Sequence, residues 1–450
     1  MTAKYHQRMV PPVPDWLWTV SRVCDRLRSR GALVFEGGTD WSLAVGQAAR
    51  LTATSRTVRL STASTQRSWP WTPAVMAQIP DVLDSLGIDG WRAYGWCGFG
   101  LGVMLYGGAP RDPEAVEVQL TIPQAEVRRS PDGLLLRALA PADLDLLERL
   151  VCSSGAGIDP AARKYPDGDP FAITSDHRSE HEAAVAAGVT RIATGPLQKV
   201  VLSRELPLPG PVDIFATYRA ARTHTRCTRS FAFSLDGFEA AGMSPESVLH
   251  SAGDGVVTSE LVAGTRALTG VAATDRRLAR ELFDDPKEIL EHAVSVRDTV
   301  TQLRTVCAPD SLTVKPFMDV ARFGGVQHLE SAVTGRLAAG SSAWTALAAL
   351  FPAIALTGSP RNEAITTIRQ LEATERGLFG GSVVSLDVSG AVDSAVVLRT
   401  VFQREGRAFL RAGGGIVAGS QPSREFEETC EKLRGVAAHV VTEKVDGRRP

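Results

Sequence analysis

Apolar and polar positions along residues 170–450 alternate between helical and strand-like spacing. Apolar side chains recur at helical spacing from about residue 176 to residue 193, which predicts a helix that ends at Gly195-Pro196. A strand is predicted directly after it, over LQKVVLSRELPL, and this strand carries Lys199. Strand-like runs on both sides of Asp236-Gly237 and of Asp254-Gly255 predict antiparallel hairpins, because Asp-Gly is a preferred hairpin turn.

Several polar residues fall within or beside these predicted strands. Glu246 lies in the turn SPES, Gly264 and Thr265 follow a strand, and His328 lies in a later strand pattern. The segments GLFGGSVVSLDVSG and AVDSAVVLRTVF are predicted to pair and to deliver Arg399. Taken alone, each residue fits a structural role, since a lone histidine in a strand is usually a satisfied polar group.

The segment DDPKEILEHAVSVRDTV predicts a helix with acidic opening turns. Asp284 or Asp285 is the expected cap, and Pro286 fits the first turn. Glu288 and Glu291 lie three residues apart, so both carboxylates lie on one side of the helix. These residues can also simply complement the helix dipole.

A second acidic helix is predicted in RAFLRAGGGIVAGSQPSREFEETCEKL. A strand leads to a glycine turn at Gly413 to Gly415, whose backbone N–H groups can bind a carboxylate, and Ser423 opens the helix. Glu425, Glu428 and Lys432 then share one helix face. Two helices that each offer a glutamate pair suit a Mg²⁺ site, because Mg²⁺ prefers oxygen ligands. Solvated charged faces are the alternative interpretation.

Composition indicates a small-molecule partner. The 450 residues include 49 basic and 50 acidic side chains, for a formal net charge of -1, so neither nucleic acid nor an anionic membrane is expected. The six cysteines contain no C-x-x-C pair, which argues against a zinc ribbon and a disulfide framework. The N-terminal stretch lacks an apolar targeting segment and no apolar run approaches about eighteen residues, so we expect a cytoplasmic protein.

The length allows more than one domain. Residues 153–170 are rich in Gly, Pro, Asp and Ser and predict an exposed connection. We expect an N-terminal part over residues 1–160 that completes the sheet system, and a second part over residues 170–450. Both are expected to form one structural domain.

Several segments of the second part resemble the chorismate-utilising enzymes, the family of anthranilate synthase component I, isochorismate synthase and salicylate synthase. They occur in the family's order: KVVLSR (199–204), SPES (244–247), AGTRAL (263–268), DPKEILEH (285–292), VQHLES (326–331), RGLFGG (376–381) and REFEETCEKL (424–433). The resemblance implies an α+β fold of two large, mostly antiparallel β-sheets packed as a sandwich, with helices outside and the site between the sheets. It also implies a chorismate-binding catalytic region, Mg²⁺ as cofactor, no obligatory glutaminase subunit and a monomer.

The resemblance also implies roles for individual residues. The expected metal ligands are Glu291 and Glu428, supported by Glu288 and Glu425 directly or through water. The expected contacts to the two substrate carboxylates are Lys432, Arg399, Gly413, Gly264 and Thr265, with His328 lining the ring pocket. Lys199 matches the family's general base and Glu246 its general acid.

The expected product depends on three positions and on whole-segment likeness. Lys199 stands where ammonia-using members typically have Gln, so water is the expected nucleophile and isochorismate the first product. The segments DPKEILEH, AGTRAL and REFEETCEKL are closest to salicylate synthases, so we expect further conversion to salicylate and pyruvate. Ala355 and Phe379 instead resemble isochorismate synthases, which stop at isochorismate.

Two further alternatives stay open at this point. One is an ammonia-using synthase subunit that forms anthranilate or an aminodeoxy product. The other is a non-catalytic paralogue that binds chorismate. The pathway is also open among siderophore, antibiotic and other secondary-metabolite biosynthesis.

Overall fold

Twelve α-helices and twenty-five β-strands make up the regular structure of residues 3–37, 40–130, 132–153, 173–323 and 326–443, which the computed structural model describes. The helices are α1 (Trp16–Leu27), α2 (Pro73–Ala77), α3 (Ile79–Asp84), α4 (Phe99–Leu105), α5 (Pro141–Cys152), α6 (Arg178–Thr194), α7 (Ile214–His224), α8 (Ala272–Asp284), α9 (Pro286–Leu303), α10 (Ala343–Leu350), α11 (Arg361–Leu371) and α12 (Pro422–Ala437). Short 3₁₀-helices cover Arg28–Arg30 and Ile354–Leu356.

The strands alternate with these helices along the whole chain. They are β1 (Ala3–Lys4), β2 (His6–Val10), β3 (Ala32–Gly37), β4 (Asp40–Val45), β5 (Ala49–Ala53), β6 (Thr57–Thr62), β7 (Gln66–Pro70), β8 (Ile88–Asp89), β9 (Arg92–Cys97), β10 (Val118–Ile122), β11 (Ala125–Ser130), β12 (Gly133–Ala138), β13 (Lys199–Pro207), β14 (Arg229–Leu235), β15 (Phe238–Ser244), β16 (Ser247–Ser251), β17 (Val256–Ala267), β18 (Thr313–Val314), β19 (Asp319–Phe323), β20 (Val326–Arg336), β21 (Gly358–Ser359), β22 (Ser382–Asp387), β23 (Val392–Val396), β24 (Thr400–Arg404) and β25 (Arg407–Ile416).

Two large antiparallel sheets dominate the molecule. One has the strand order β18-β20-β17-β16-β23-β22-β9-β10-β5-β6-β7, with β19 also paired to β20. The other has the order β2-β12-β11-β4-β3-β14-β15-β24-β25-β13-β21, while β1 and β8 form a separate parallel pair. The predicted α+β fold with two large, mostly antiparallel sheets is confirmed.

Each large sheet joins strands from both parts of the chain. β9 pairs with β22 in one sheet, and β3 pairs with β14 in the other. The predicted connection over residues 153–170 falls outside the described residues except for Ser153. Neither sheet is therefore built from the second part alone.

The main core lies between the two sheets. Trp96 of β9 and Phe238 of β15 meet edge to face across this layer, with ring centroids 5.7 Å apart. A second core covers the other face of the β2-to-β21 sheet, where α12 buries Phe426, Cys430 and Leu433 as its apolar spacing requires. A third packs α4, α6 and α11 against β13. Both faces of β13 are therefore covered, and Lys199 at its start is buried.

Several local predictions are confirmed. Asp285 caps α9, since its carboxylate accepts hydrogen bonds from the backbone N–H groups of Lys287 and Glu288. The hairpins β14–β15 and β16–β17 turn at the two predicted Asp-Gly pairs. β22 and β23 also pair as expected.

Two predictions about glycines are wrong. Gly413 to Gly415 do not form a turn, because they lie inside β25 and pair with β13. Helix α12 begins at Pro422, whose fixed φ suits the first helical position, and Gln421 rather than a later residue is its N-cap. Gly264 likewise lies within β17, where the register shifts between Ala263 and Arg266, rather than after the strand.

Within the described ranges, none of the helices is long and apolar enough to cross a membrane.

Candidate active site

The structure brings the four predicted metal-binding glutamates together where α9 and α12 approach each other. Glu288 and Glu291 lie on α9, and Glu425 and Glu428 lie on α12. Their side chains are 16%, 16%, 1% and 27% exposed, respectively. We call these four residues the glutamate cluster. Partly buried carboxylates this close repel each other unless cations offset their charge.

Three lysines supply that charge. The Lys287 ammonium lies 2.9 Å from Glu425 Oε1 and 3.7 Å from Glu428 Oε2. Lys432 donates to Glu428 Oε1 at 2.7 Å and to the Gly413 carbonyl at 2.8 Å. Lys199 Nζ lies 3.0 Å from Glu291 Oε1. The predicted base and one predicted substrate ligand therefore both contact the glutamate cluster.

The glycines of β25 make room for these carboxylates. A Cβ atom at Gly415 would overlap the carboxylate of Glu291. A Cβ atom at Gly414 would lie 3.2 Å from Glu425 Oε2 and 3.8 Å from Glu428 Oε1. The glycine run therefore serves close approach of side chains to a strand, rather than a turn.

The glutamate cluster fits a divalent cation in its donor chemistry. Glu425 Oε2 is buried and has no hydrogen-bond partner among the described residues. An unsatisfied buried carboxylate oxygen is costly, so a cation at this position would relieve a real deficit. Among the described residues, however, no three Asp, Glu, His or Cys side chains already converge on one metal position. The lysines occupy the space between the carboxylates instead.

Charge and burial push the four pKa values in different directions. Burial and the nearby Glu291 carboxylate raise the pKa of Glu288 to about 7. Burial also raises the pKa of Glu425, although Lys287 opposes this shift. For Glu291 and Glu428 burial is outweighed by the neighbouring lysines, which lower the pKa of both carboxyl groups. Two of the four carboxyl groups therefore bind a proton more readily than an ordinary glutamate, and two bind it less readily. This difference is expected where four carboxylates share too few cations.

Lys199 is held by two groups on α9. Its side chain is 2% exposed, and Nζ donates to Ser295 Oγ at 3.1 Å in addition to contacting Glu291. The Ser295 hydroxyl in turn donates to the Glu291 backbone carbonyl at 2.9 Å. Ser295 lies one helical turn after Glu291, so the two side chains lie on the same side of α9, but this spacing does not reveal the contact with Lys199.

Glu246 is a buried carboxyl group between β15 and β16. Its Oε2 accepts a hydrogen bond of 3.2 Å from the Val262 backbone N–H. Burial raises the pKa of Glu246 to about 7, against the lowering effects of that hydrogen bond, Lys199 and Arg399. At neutral pH a large fraction of Glu246 therefore carries a proton, which is what a general acid needs.

A small cleft borders Glu246. Its wall includes Leu261, Thr299, Ala355 and the buried Arg361. Arg361 is fixed by an ion pair of 2.9 Å with Asp298. Ala355 lies on the wall of this cleft, whereas the side chain of Phe379 packs in the core between the sheets, against the Arg376 guanidinium.

Arg399 lies close to Glu246 in an unusual backbone conformation. It follows β23 with φ at +47°, a left-handed value that is uncommon for a residue with a Cβ atom. Burial lowers the pKa of its guanidinium, and Glu246 partly opposes this effect. No described residue forms a hydrogen bond or ion pair with this guanidinium. A partly buried guanidinium without a hydrogen bond or ion pair to any described residue is suited to bind an anionic ligand.

His328 and Gly264 link the glutamate cluster to the bulge in β17. His328 Nδ1 lies 2.8 Å from the Gly264 carbonyl oxygen, which can only accept, so Nδ1 carries the proton. Burial lowers the pKa of His328 to about 4, so the ring is neutral at neutral pH. Gly264 has φ at +61°, and a Cβ atom there would lie 3.0 Å from Glu288 Oε2. Thr265 lies in the same bulge, but its side chain falls outside the described residues.

The sequence of this chain matches a known family. Residues 30–438 match the family of chorismate binding enzymes, and the chain therefore belongs to it. The protein is a chorismate-utilising enzyme, as its segments predicted.

Two relatives differ in how much of this chain they resemble. The salicylate synthase of Mycolicibacterium paratuberculosis is 35% identical over 410 residues, which cover 91% of this chain and 89% of the relative. Anthranilate synthase component 1 of Arthrobacter globiformis is 35% identical over 283 residues, but covers only 61% of this chain and 53% of the relative. The likeness to the salicylate synthase thus extends through the N-terminal part.

A solved structure supports the fold independently. The menaquinone-specific isochorismate synthase of Escherichia coli superimposes with a TM-score of 0.72 over 97% of this chain and 95% of that chain, at 23% identity. At this identity the likeness concerns the fold. The two proteins therefore share this fold.

Proposed function

We propose that this protein is a Mg²⁺-dependent salicylate synthase, which converts chorismate to isochorismate and then to salicylate and pyruvate. One observation carries the proposal. Glu246 borders a cleft, the buried amine of Lys199 acts electrostatically to lower the pKa of this carboxyl group, and Lys199 also contacts the glutamate cluster. Addition of water with loss of a hydroxyl group requires a base and an acid, and these two buried groups can supply them.

Chorismate is a dianion, and the cationic groups suit its carboxylates. Arg399 offers a guanidinium without an ion-pair partner in the described ranges, and Lys432 offers an ammonium that is 42% exposed. Backbone groups of Gly264, Thr265 and Gly413 are proposed to complete the binding. Fixing both carboxylates orients the ring between acid and base.

The glutamate cluster is proposed to hold Mg²⁺. Glu291 and Glu428 would bind it most directly, with Glu288 and Glu425 supporting them. When bound, Mg²⁺ would offset the charge of the substrate's ring carboxylate. The unpartnered Glu425 Oε2 and the two carboxylates that share Lys287 support this assignment.

The first reaction then follows from two proton transfers. Lys199, as a neutral amine, accepts a proton from the water that attacks C2 of the ring. Glu246, in its protonated form, donates a proton to the C4 oxygen, which leaves as water. Because Glu246 Oε2 accepts from Val262, the other carboxyl oxygen is available to carry the transferred proton. Lys199 can act as a base only after its ion pair with Glu291 is broken. Binding of Glu291 to another cation would allow this.

The second reaction releases pyruvate from bound isochorismate. It requires mainly that the pocket hold the side chain over the ring, because a pericyclic hydrogen transfer needs no further acid or base. The full-length similarity to a salicylate synthase supports this second step.

The second candidate is an isochorismate synthase that releases its first product. Ala355 on the cleft wall favours this alternative, because its small side chain leaves more space around the ring. An ammonia-using function is disfavoured by Lys199, which stands where those enzymes typically have Gln.

Incubation of the pure protein with chorismate and Mg²⁺ tests these alternatives. Salicylate fluorescence together with an equal amount of pyruvate is the expected result. Isochorismate without pyruvate would refute the salicylate synthase and support the second candidate. Product that forms only with ammonium salts would indicate an amination enzyme, and binding of chorismate without turnover would indicate a non-catalytic paralogue.

A further inference from the structure

Lys287 occupies a distinctive place in the glutamate cluster. Its ammonium contacts Glu425 and Glu428 on α12, although Lys287 itself belongs to α9. The backbone N–H of Lys287 donates to the Asp285 cap at 3.0 Å, so the residue is anchored in the rigid first turn of its helix. The ammonium is thus tethered at the point where the two acidic helices meet.

Glu425 depends on this contact. Its side chain is 1% exposed, and Lys287 is the only cation paired with it in the described part of the chain. Glu428, in contrast, is also paired with Lys432 at 2.7 Å. A buried carboxylate without a counter-charge is strongly unfavourable, so Lys287 keeps Glu425 ionisable inside the protein.

The contact satisfies the carboxylates only in part. Glu425 Oε2 has no hydrogen-bond partner among the described residues. The second contact of Lys287, to Glu428 Oε2, measures 3.7 Å and is too long for a hydrogen bond. A single positive charge therefore spans two carboxylates that a divalent cation, with oxygen ligands at about 2.0–2.1 Å, would satisfy better.

We propose that Lys287 is a built-in competitor of the metal ion: its ammonium holds Glu425 and Glu428 together in the metal-free protein and is displaced when a divalent cation binds. The inference rests on the proposed metal site, but it assigns Lys287 a role that the reaction itself does not need. Lys287 lowers the affinity for the metal, because its ion pairs must be broken first. It also preserves the fold of the site when the metal is absent.

Neutral substitutions of Lys287 test its effect on metal affinity and its effect on stability separately. We expect Lys287→Met to bind Mg²⁺ about tenfold more tightly than the unmodified protein, which corresponds to about 1.4 kcal/mol. Mg²⁺ alone is titrated by calorimetry into the full chain, without substrate. Lys287→Gln tests the same neutral charge with a polar side chain in case the Met variant does not fold. Lys287→Arg retains the charge and should not bind Mg²⁺ more tightly.

Thermal unfolding in EDTA supplies the second measurement. Lys287→Met should melt at a lower temperature than the unmodified protein in EDTA, and added Mg²⁺ should reduce that difference. Lys4→Met is the matched control, because Lys4 pairs with Asp89 at 3.3 Å on the surface, with side chains 74% and 58% exposed. This control should change neither the Mg²⁺ affinity nor the melting temperature.

The outcomes distinguish the two proposals. If the unmodified protein binds Mg²⁺ and the neutral Lys287 variants bind it equally or more weakly, the competitor role is refuted and the metal site stands. If neither the unmodified protein nor the variants bind Mg²⁺, the proposed metal site is refuted and the competitor role with it.

Discussion

Two buried ionic clusters of this protein differ in how completely their carboxylates are satisfied. In the first, Glu372 accepts hydrogen bonds from the Ser203 backbone and hydroxyl groups, at 2.7 and 2.9 Å. It also accepts from Arg376 and Arg411, at 2.9 Å each to Oε2. We call these four residues the Glu372 cluster. The carboxylate and guanidinium side chains are 1–4% exposed.

The carboxylates of the glutamate cluster are less completely satisfied by hydrogen bonds than Glu372 is. The glutamate cluster contains four carboxylates, a buried oxygen of Glu425 without a hydrogen-bond partner among the described residues, and contacts as long as 3.7 Å. Burial of charge is stable where hydrogen bonds satisfy every polar atom, and costly where they do not. The Glu372 cluster therefore joins β13, α11 and β25 as a structural element. The glutamate cluster retains a deficit that a ligand can relieve.

The largest expected effect concerns the base at the edge of the glutamate cluster. Lys199→Ala should lower kcat by about 10²- to 10⁴-fold, because the attacking water loses its proton acceptor. Chorismate binding in the presence of Mg²⁺, measured by calorimetry, should remain detectable. Lys4→Ala serves as the control with full activity, and turnover retained by Lys199→Ala would remove Lys199 from the mechanism.

The second-largest expected effect is a loss of stability when the Glu372 cluster is disrupted. Glu372→Ala leaves Arg376 and Arg411 buried without their carboxylate, so the free energy of unfolding should fall by about 3–5 kcal/mol in urea denaturation. Glu114→Ala is the matched control, since Glu114 pairs with Arg56 on the surface and should leave the midpoint unchanged. Equal midpoints for both variants would contradict the structural role of the Glu372 cluster.

The same kind of change in the glutamate cluster should affect binding rather than stability. Glu428→Gln removes one proposed ligand, so Mg²⁺ should bind at least about tenfold more weakly in a calorimetric titration. The urea midpoint should change much less than in Glu372→Ala, because Glu428 and Lys432 are 27% and 42% exposed. An unchanged Mg²⁺ titration would argue against the site.

The smallest expected effect is a pH dependence. The pKa of Glu246 is raised to about 7, so the fraction of Glu246 that carries a proton should fall about tenfold per pH unit above that value, and kcat should fall with it at pH values where Lys199 is already neutral. The raised pKa also means that the stability contributed by protonated Glu246 is lost as the pH rises through about 7. Glu246→Gln should be slow and should lose the part of the kcat–pH profile that depends on this acid, so a profile of the same shape as that of the unmodified enzyme would contradict the acid role.

Residue spacing alone predicted much of the site. The i, i+3 glutamate pairs on α9 and α12, the Asp285 cap and the two Asp-Gly hairpins all follow from local periodicity and turn chemistry. Local rules succeed here because each feature is decided within one turn of helix or one hairpin. Family resemblance then added Lys199, Glu246 and Arg399, which no local pattern distinguishes from ordinary polar residues.

Local reasoning failed where long-range contacts decide the conformation. Gly413 to Gly415 resemble a turn in sequence, but β13 pairs with them and the glutamates lie against them. Lys287 resembled an ordinary helix lysine until α12 placed Glu425 beside it. Ser295 was overlooked although it lies four residues after Glu291, because its partner Lys199 lies 96 residues away in sequence.

The sequence by itself determined the Asp285 cap, the hairpins, the acidic faces of α9 and α12 and the family, because these depend on residues near each other in the chain. Only the tertiary structure decided which carboxylates share which cations. That choice depends on how α9 packs against α12 and how β13 and β25 bring Lys199 and the glycines beside them. Burial then sets the cost of every unpaired charge, and burial is a property of the assembled fold.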